Sequence, residues 1–202
     1  MEKMNVIIVY IDDIDQTKRE LYNAFMDDIR DDVTDFVTFE HPLEGLAFIR
    51  ENIGQKIIVI LDWKFTNSKQ QGADILKAIN DISRLVPVIV YTGQPISASD
   101  TDKMFKGRAF SFVSKDTSTQ NMIDAIVNAY DSIQNDIRTV MEEWILRQDE
   151  EKRKRPYMSY NGKVYTLNEI LESIRRQDDL GKETAKGILS LATELFTNNM
   201  RK

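Results

Sequence analysis

A chain of 202 residues has room for one large domain, or for one of ordinary size with an appendage. It is 42% hydrophobic and 30% charged, an ordinary balance for a chain that buries a core, and its lack of cysteine removes disulfides, thiolate zinc sites and cysteine nucleophiles together. The net charge of −6 divides unevenly: residues 1–149 hold 16 Lys+Arg against 25 Asp+Glu, residues 150–202 hold 11 against 8, and so acidic a body is a poor non-specific binder of nucleic acid.

No apolar run approaches the roughly 18 residues that span a bilayer, and "MEKMNVIIVYIDD" lacks the layout of a secretory signal, so a cytoplasmic location is expected. Strand-like and helix-like stretches alternate from there. "NVIIVYI" (5–11) reads as a buried strand and "DQTKRELYNAFMDDIR" (15–30) as an amphipathic helix. "DFVTFE" (35–40) is a second strand, and "PLEGLAFIRENI" a helix with Pro42 in its first turn, where a missing N–H is tolerated. "KIIVIL" (56–61) is the third strand, followed by a helix from Gly72 in "GADILKAINDI". "VPVIVYT" (86–92) and "AFSFVS" (109–114) are the fourth and fifth, with a short polar helix around "SASDTDKMF" between them. A long helix starts near Ser118. Five strands with crossovers long enough for helices predict a parallel, doubly wound sheet covered on both faces. In such sheets the site lies at the carboxyl ends of the strands, where strand order reverses.

Those ends carry a pattern. The first strand ends in Asp12 and Asp13, the third in Asp62, the fourth in Thr92 and Gly93, the fifth in Ser114 and Lys115. Each signal alone has an ordinary explanation: a solvated acid, a helix start, a turn, a surface lysine. Their occurrence in order at the ends of four strands is much harder to obtain by accident. Three crowded carboxylates raise one another's pKa unless a cation sits between them, and hard oxygen ligands suit Mg²⁺. A lysine and a hydroxyl opposite such an ion would hold the oxygens of a phosphoryl group, with Asp62 the nucleophile that becomes an aspartyl phosphate.

Together "VYIDD", "VILDW", "QGADILKAI", "VPVIVYTG", "FSFVSKD" and "HPLEGLAFI" resemble the response regulator receiver domain of two-component signalling, over about residues 4–130. The resemblance implies a flavodoxin-like fold with Asp62 as phosphoacceptor. It implies Mg²⁺ held by Asp12, Asp13, Asp62 and the backbone carbonyl of Lys64, with Asp13 the more direct ligand and Asp12 acting through water. Thr92 would follow the phosphoryl group inward, Gly93 would keep its approach clear, and Lys115 would pair with a phosphoryl oxygen. Phe112 matches the aromatic whose rotation reports phosphorylation, a role weighed against a plain core position. The partners implied are a histidine kinase or phosphotransfer protein and a downstream protein target, and the chain is not expected to be an enzyme.

Some positions depart from the family pattern. Thr66 stands where a proline is usual, the polar loop "KFTNSKQQ" is about two residues longer than usual, and Asp116 replaces the proline after the lysine, so no cis peptide is expected there. These changes bear on loop shape and phosphate lifetime and leave the chemical groups intact. A pseudo-receiver scaffold that is never phosphorylated is the alternative. A phosphatase-type hydrolase would want a second aspartate where Lys64 stands. His41, beside Pro42, reads as a helix-approach residue rather than a phosphodonor.

Beyond Ser118 the helical pattern continues toward Arg155, extending the last helix. Ile123, Ile126, Tyr130, Ile133, Ile137, Val140 and Trp144 follow a 3.5-residue repeat, the spacing of a coiled-coil seam. The second half of this stripe needs a partner, either a second copy, giving a homodimer through residues 123–144, or the chain's own tail. The "KRKR" run (152–155) suits a solvated helix end before Pro156. Then come a hairpin with Asn161-Gly162 at its turn, a helix from Leu167 opened by the capping box "TLNE", and a last helix over "GKETAKGILSLATELFTNN". These two helices look too small for a core of their own. "GKETAKG" lacks the base-reaching side chains of a recognition helix, which argues against a DNA-binding regulator, the other alternative. The expected organisation is a receiver domain over 1–130, an extended helix or linker over 131–155, and a small helical output or docking region over 156–202.

Overall fold

Five aliphatics in a row with no polar side can be buried only by a strand covered on both faces, and β3 (Ile57–Leu61) is such a strand. In the computed structural model it lies inside a sheet with β1 (Met4–Ile11), β2 (Val33–Phe39), β4 (Val88–Thr92) and β5 (Ser111–Ser114). The order is β2-β1-β3-β4-β5, every pair parallel. The structure describes residues 4–13, 27, 29, 33–66, 68–93 and 95–199, with side chains through residue 191. Contacts group it into two compact units, Met1–Ile133 and Gln134–Lys202.

In the first unit, side-chain alternation along the strands makes two cores. Ile8, Tyr10, Ile58, Ile60, Ile89 and Tyr91 share one with Met122, Ile126 and Ala129 of α4 (Thr119–Gln134). Val9, Ile11, Val59, Leu61, Val88 and Val90 share the other with Leu46 and Ile49 of α1 (Pro42–Glu51) and Ile75, Leu76 and Ile79 of α2 (Gly72–Ile82). The short polar helix forms as α3 (Ala98–Lys106), capped by Ser97. The helix expected over 15–30 lies outside the described residues apart from Asp27 and Ile29; both are helical, and Ile29 is buried in the first core.

The continuous helix expected from Ser118 to Arg155 is corrected to three: α4, α5 (Ile137–Leu146) and α6 (Glu150–Lys154). Aspartates start the new ones. Asp136 accepts from the amide of Arg138 at 2.8 Å, and Asp149 from that of Lys152 at 2.7 Å, each satisfying an orphan donor of a helix N-terminus. The 3.5-residue repeat is therefore not one seam. Ile126 and Ile133 are buried in the sheet's core with Ile123 and Tyr130 against it, whereas Ile137, Val140 and Trp144 line a groove of the second unit.

That unit contains α5, α6, the hairpin β6 (Pro156–Tyr160) and β7 (Lys163–Thr166), α7 (Leu167–Arg176) and α8 (Asp179–Asn199). Asn161 and Gly162 turn the hairpin with φ of 49° and 77°, the left-handed geometry such a turn requires. Thr166 and Glu169 exchange the two hydrogen bonds of a capping box. The two tail helices are not left to make a core alone. α5 packs on both, and Met141, Ile145, Leu167, Ile170, Ile174 and Leu180 are buried. Glu142 of α5 and Arg175 of α7 form a buried ion pair at 2.7 Å. An apolar groove of about 320 Å³ runs past Val140, Trp144, Tyr157, Ile170, Thr184 and Ile188. Along α8, Ile188, Leu189 and Leu191 are exposed, and the remaining apolar residues Ala192, Leu195 and Phe196 lie beyond the described side chains. No helix among the described residues is long and apolar enough to cross a membrane.

Candidate functional site

The register of the sheet assembles the site. β1 and β3 pair Ile11 with Leu61, so the next residue of each strand, Asp12 and Asp62, come out side by side. The amide of Asp62 donates to the Ile11 carbonyl at 2.9 Å, and that of Asp12 to the Phe39 carbonyl at 3.0 Å, fixing both backbones. β4 and β5 pair Thr92 with Ser114, and the Lys115 amide donates to the Thr92 carbonyl at 3.0 Å. One step past the ladder, the lysine side chain turns to the acids: Nζ is 2.5 Å from Oδ2 of Asp12 and 3.2 Å from Oδ1 of Asp62.

Carboxylate oxygens of Asp12, Asp13 and Asp62 lie within 4.8 Å of one another. Asp12 is 3% exposed and Asp62 5%, while Asp13 is half-buried at the mouth. Burial pushes the Asp62 carboxyl up to about 6, and the charge of Asp12 adds to the rise; Lys115 pulls it back by attraction and a hydrogen bond.

The loop after Asp62 is held from several sides. The Thr66 amide donates to Oδ2 of Asp13 at 2.5 Å, so the residue standing where a proline is usual anchors an acid of the cluster. Gln71 receives the Phe65 amide at 3.1 Å and donates to the Phe65 and Ser68 carbonyls at 2.9 and 3.2 Å. A Cβ on Gly72 would meet the Asp62 carbonyl oxygen at 2.8 Å and the Trp63 Cα at 2.7 Å, so only glycine lets α2 begin this close to the site. The Lys64 side chain turns away from the acids, its Nζ 3.5 Å from Asp100.

The remaining candidates fall into place around this rim. Thr92 is buried at the end of β4, and a Cβ on the neighbouring Gly93 would stand 3.4 Å from the Lys115 Cβ. Phe112 is 47% exposed on β5, which counts against the alternative of a plain core position. No cis peptide occurs among the described residues. Three residues of the site escape a reading from sequence. Tyr10 donates its hydroxyl to Oδ2 of Asp12 at 2.5 Å, Thr66 holds Asp13, and Asp100 accepts from the Trp63 indole. Only Tyr10 carried a signal, a polar tip in an otherwise aliphatic strand.

Three hard oxygen donors gathered at one mouth, one of them accessible, match a cation that accepts few protein ligands and keeps several waters, as Mg²⁺ does. The donor set fits.

No protein-family model matches the sequence, and no curated protein is similar to it. Solved structures are. A response regulator receiver domain protein from Clostridium thermocellum is 27% identical, with a TM-score of 0.51 over 64% of this chain and 97% of that one. A CheY-like receiver domain protein from Methanospirillum hungatei JF-1 is 17% identical, with a TM-score of 0.52 over 63% and 94%. A chain described as an adenylate cyclase from Rhodopirellula baltica is 20% identical, with a TM-score of 0.57 over 71% and 99%, a likeness of fold alone. With its strand order, its acidic cluster and these neighbours, the N-terminal unit has the fold of a response regulator receiver domain.

Proposed function

We propose that the chain is a response regulator of a phosphorelay that accepts a phosphoryl group on Asp62 from a phosphohistidine donor. The observation that carries this reading is the convergence of Asp62 with Asp12, Asp13 and Lys115, four charged groups from three strand ends. A carboxylate oxygen of Asp62 attacks phosphorus in line, the P–N bond breaks, and the donor imidazole leaves with the electron pair and takes up a proton. The product is an acyl phosphate on Asp62 and a neutral histidine on the donor.

Each residue has a task. Asp12, Asp13, Asp62 and the Lys64 carbonyl would hold Mg²⁺, which when bound would screen the charge between nucleophile and phosphoryl oxygens. Lys115 exchanges its contact with Asp62 for a phosphoryl oxygen. Thr92 closes on another oxygen, drawing the end of β4 inward, and Phe112 reports the change on the outer face of β5. Phosphate then shifts a population between two arrangements, by no more than its differential affinity for them. The output is a change in protein contacts. The chain does not turn over a separate substrate, and its partners are the phosphodonor protein and a downstream protein.

Trp63, buried beside the site, supplies the test. In a Trp144→Phe background, Mg²⁺ followed by beryllofluoride should change its fluorescence, and Asp62→Asn should abolish the second step. Incubation with acetyl phosphate and Mg²⁺ should add one phosphoryl group by intact mass, again lost in Asp62→Asn. Silence in both measurements would make the unit a fixed scaffold.

A further inference from the structure

Strand geometry sets Tyr10 and Asp12, two residues apart, on the same face of the chain leaving β1. The Tyr10 side chain is fully buried, and its hydroxyl donates to Oδ2 of Asp12 at 2.5 Å. Any aliphatic would serve the core as well, and a buried hydroxyl is costly unless bonded, so the phenol is accounted for by its acceptor. Its ring is fixed between two others, with centroids 6.3 Å from Phe36 and 6.4 Å from Tyr91. The same Oδ2 also receives Lys115 Nζ at 2.5 Å. The two donors differ in kind. Lys115 is a flexible stem reaching across Asp62, whereas Tyr10 is a locked ring whose oxygen has little freedom to leave.

We propose that Tyr10 is a positioning residue of the acidic site, its hydroxyl keeping the Asp12 carboxylate in one orientation toward a divalent cation when Lys115 moves to a phosphoryl oxygen. The inference rests on the phosphoacceptor reading and adds to it a fixed support for Asp12. When Lys115 departs, Oδ2 of Asp12 loses a charge-assisted bond and keeps the one from the Tyr10 hydroxyl. Partners of this kind, one bond behind a metal ligand, orient it and typically change metal affinity by about 10- to 100-fold.

The test is a Mg²⁺ titration followed by Trp63 fluorescence in full-length Trp144→Phe protein, with and without Tyr10→Phe. Loss of the hydroxyl should raise the Mg²⁺ dissociation constant roughly tenfold. It should also shrink the rise in melting temperature that Mg²⁺ produces. A purely structural role would lower melting equally in both conditions and leave the dissociation constant unchanged, which overturns the proposal while leaving the phosphoacceptor reading in place. A parent protein indifferent to Mg²⁺ overturns both. Should Tyr10→Phe fail to fold, a crystal structure of the parent with Mg²⁺ and beryllofluoride decides: Tyr10 Oη stays on Asp12 while Lys115 Nζ stands on fluoride. A Tyr10 hydroxyl that has released Asp12 refutes the assignment.

Discussion

The indole of Trp63 donates to the buried carboxylate of Asp100, joining the residue after Asp62 to the first turn of α3. The same carboxylate receives the Ser97 hydroxyl at 2.7 Å and stands 3.5 Å from Lys64 Nζ. Bonds from Ser97 and Trp63, aided by the charge of Lys64, hold the Asp100 carboxyl far below the usual carboxylate range. Asp100→Ala removes half of a capping box and the indole's acceptor, and should destabilise the first unit by about 1 kcal/mol. A depressed carboxyl contributes stability above its unfolded pKa and loses it only as pH falls toward the folded one. The deficit of the variant should therefore be constant from pH 5 to 8, measured by urea unfolding.

Asp62 behaves in the opposite sense. The folded chain retains its proton up to about pH 6, whereas an unfolded chain releases it near 3.8, so folding takes up a proton between these values and stability falls as pH rises through that window. Asp62→Asn removes the penalty. It should raise stability at pH 7 by about 3 kcal/mol and give no gain near pH 3.5, since one pKa unit is about 1.4 kcal/mol. Melting curves of parent and variant across this range check it; a gain independent of pH would contradict the assignment.

The second unit has its own dependence on a buried charge. Burial raises the pKa of Glu142, and Arg175, its partner at 2.7 Å, opposes the rise. Arg175→Met should leave that carboxylate without its buried partner and destabilise the unit by about 3 kcal/mol. Adding Glu142→Leu should recover most of the loss, because an apolar pair of similar volume does not need the desolvation repaid. Trp144 fluorescence during urea unfolding, in a Trp63→Phe background, follows this unit alone. Failure of the double variant to recover would assign the residues to packing rather than to charge.

The break between α4 and α5 should respond to its cap. Asp136 holds the Arg138 amide at 2.8 Å and its guanidinium at 2.8 Å, so Asp136→Ala should cost about 1 kcal/mol in the same Trp144-detected unfolding. Asp136→Ser, which can still cap, should recover most of it. Equal losses in both variants would move the effect from the cap to the guanidinium pair.

Much of the site was legible in order of residues because a parallel sheet has few ways to arrange its strand ends. Asp12, Asp62, Thr92 and Lys115 each follow a hydrophobic run, and once the runs pair in register the ends converge without further information. Tyr10, Thr66 and Asp100 were not legible for the complementary reason. Thr66 and Asp100 reach Asp13 and Trp63 across distant parts of the chain, which no local pattern records, and the Tyr10 hydroxyl shows only as a polar tip until its acceptor is in place.

The long helix shows the same limit. A repeat of 3.5 residues records that Ile123 through Trp144 have apolar sides, and it holds equally for one seam and for two short helices on different cores. What the chain by itself determined was the alternation of strands and helices, the hairpin at Asn161-Gly162 and the chemistry available at the strand ends, because these depend on neighbours along the backbone. What only tertiary structure decided was which apolar surface each half of the stripe covers, which donors hold each carboxylate, and that α5 completes the tail's core. Burial and hydrogen bonding between distant segments are properties of their meeting, and they exist only once the chain has folded.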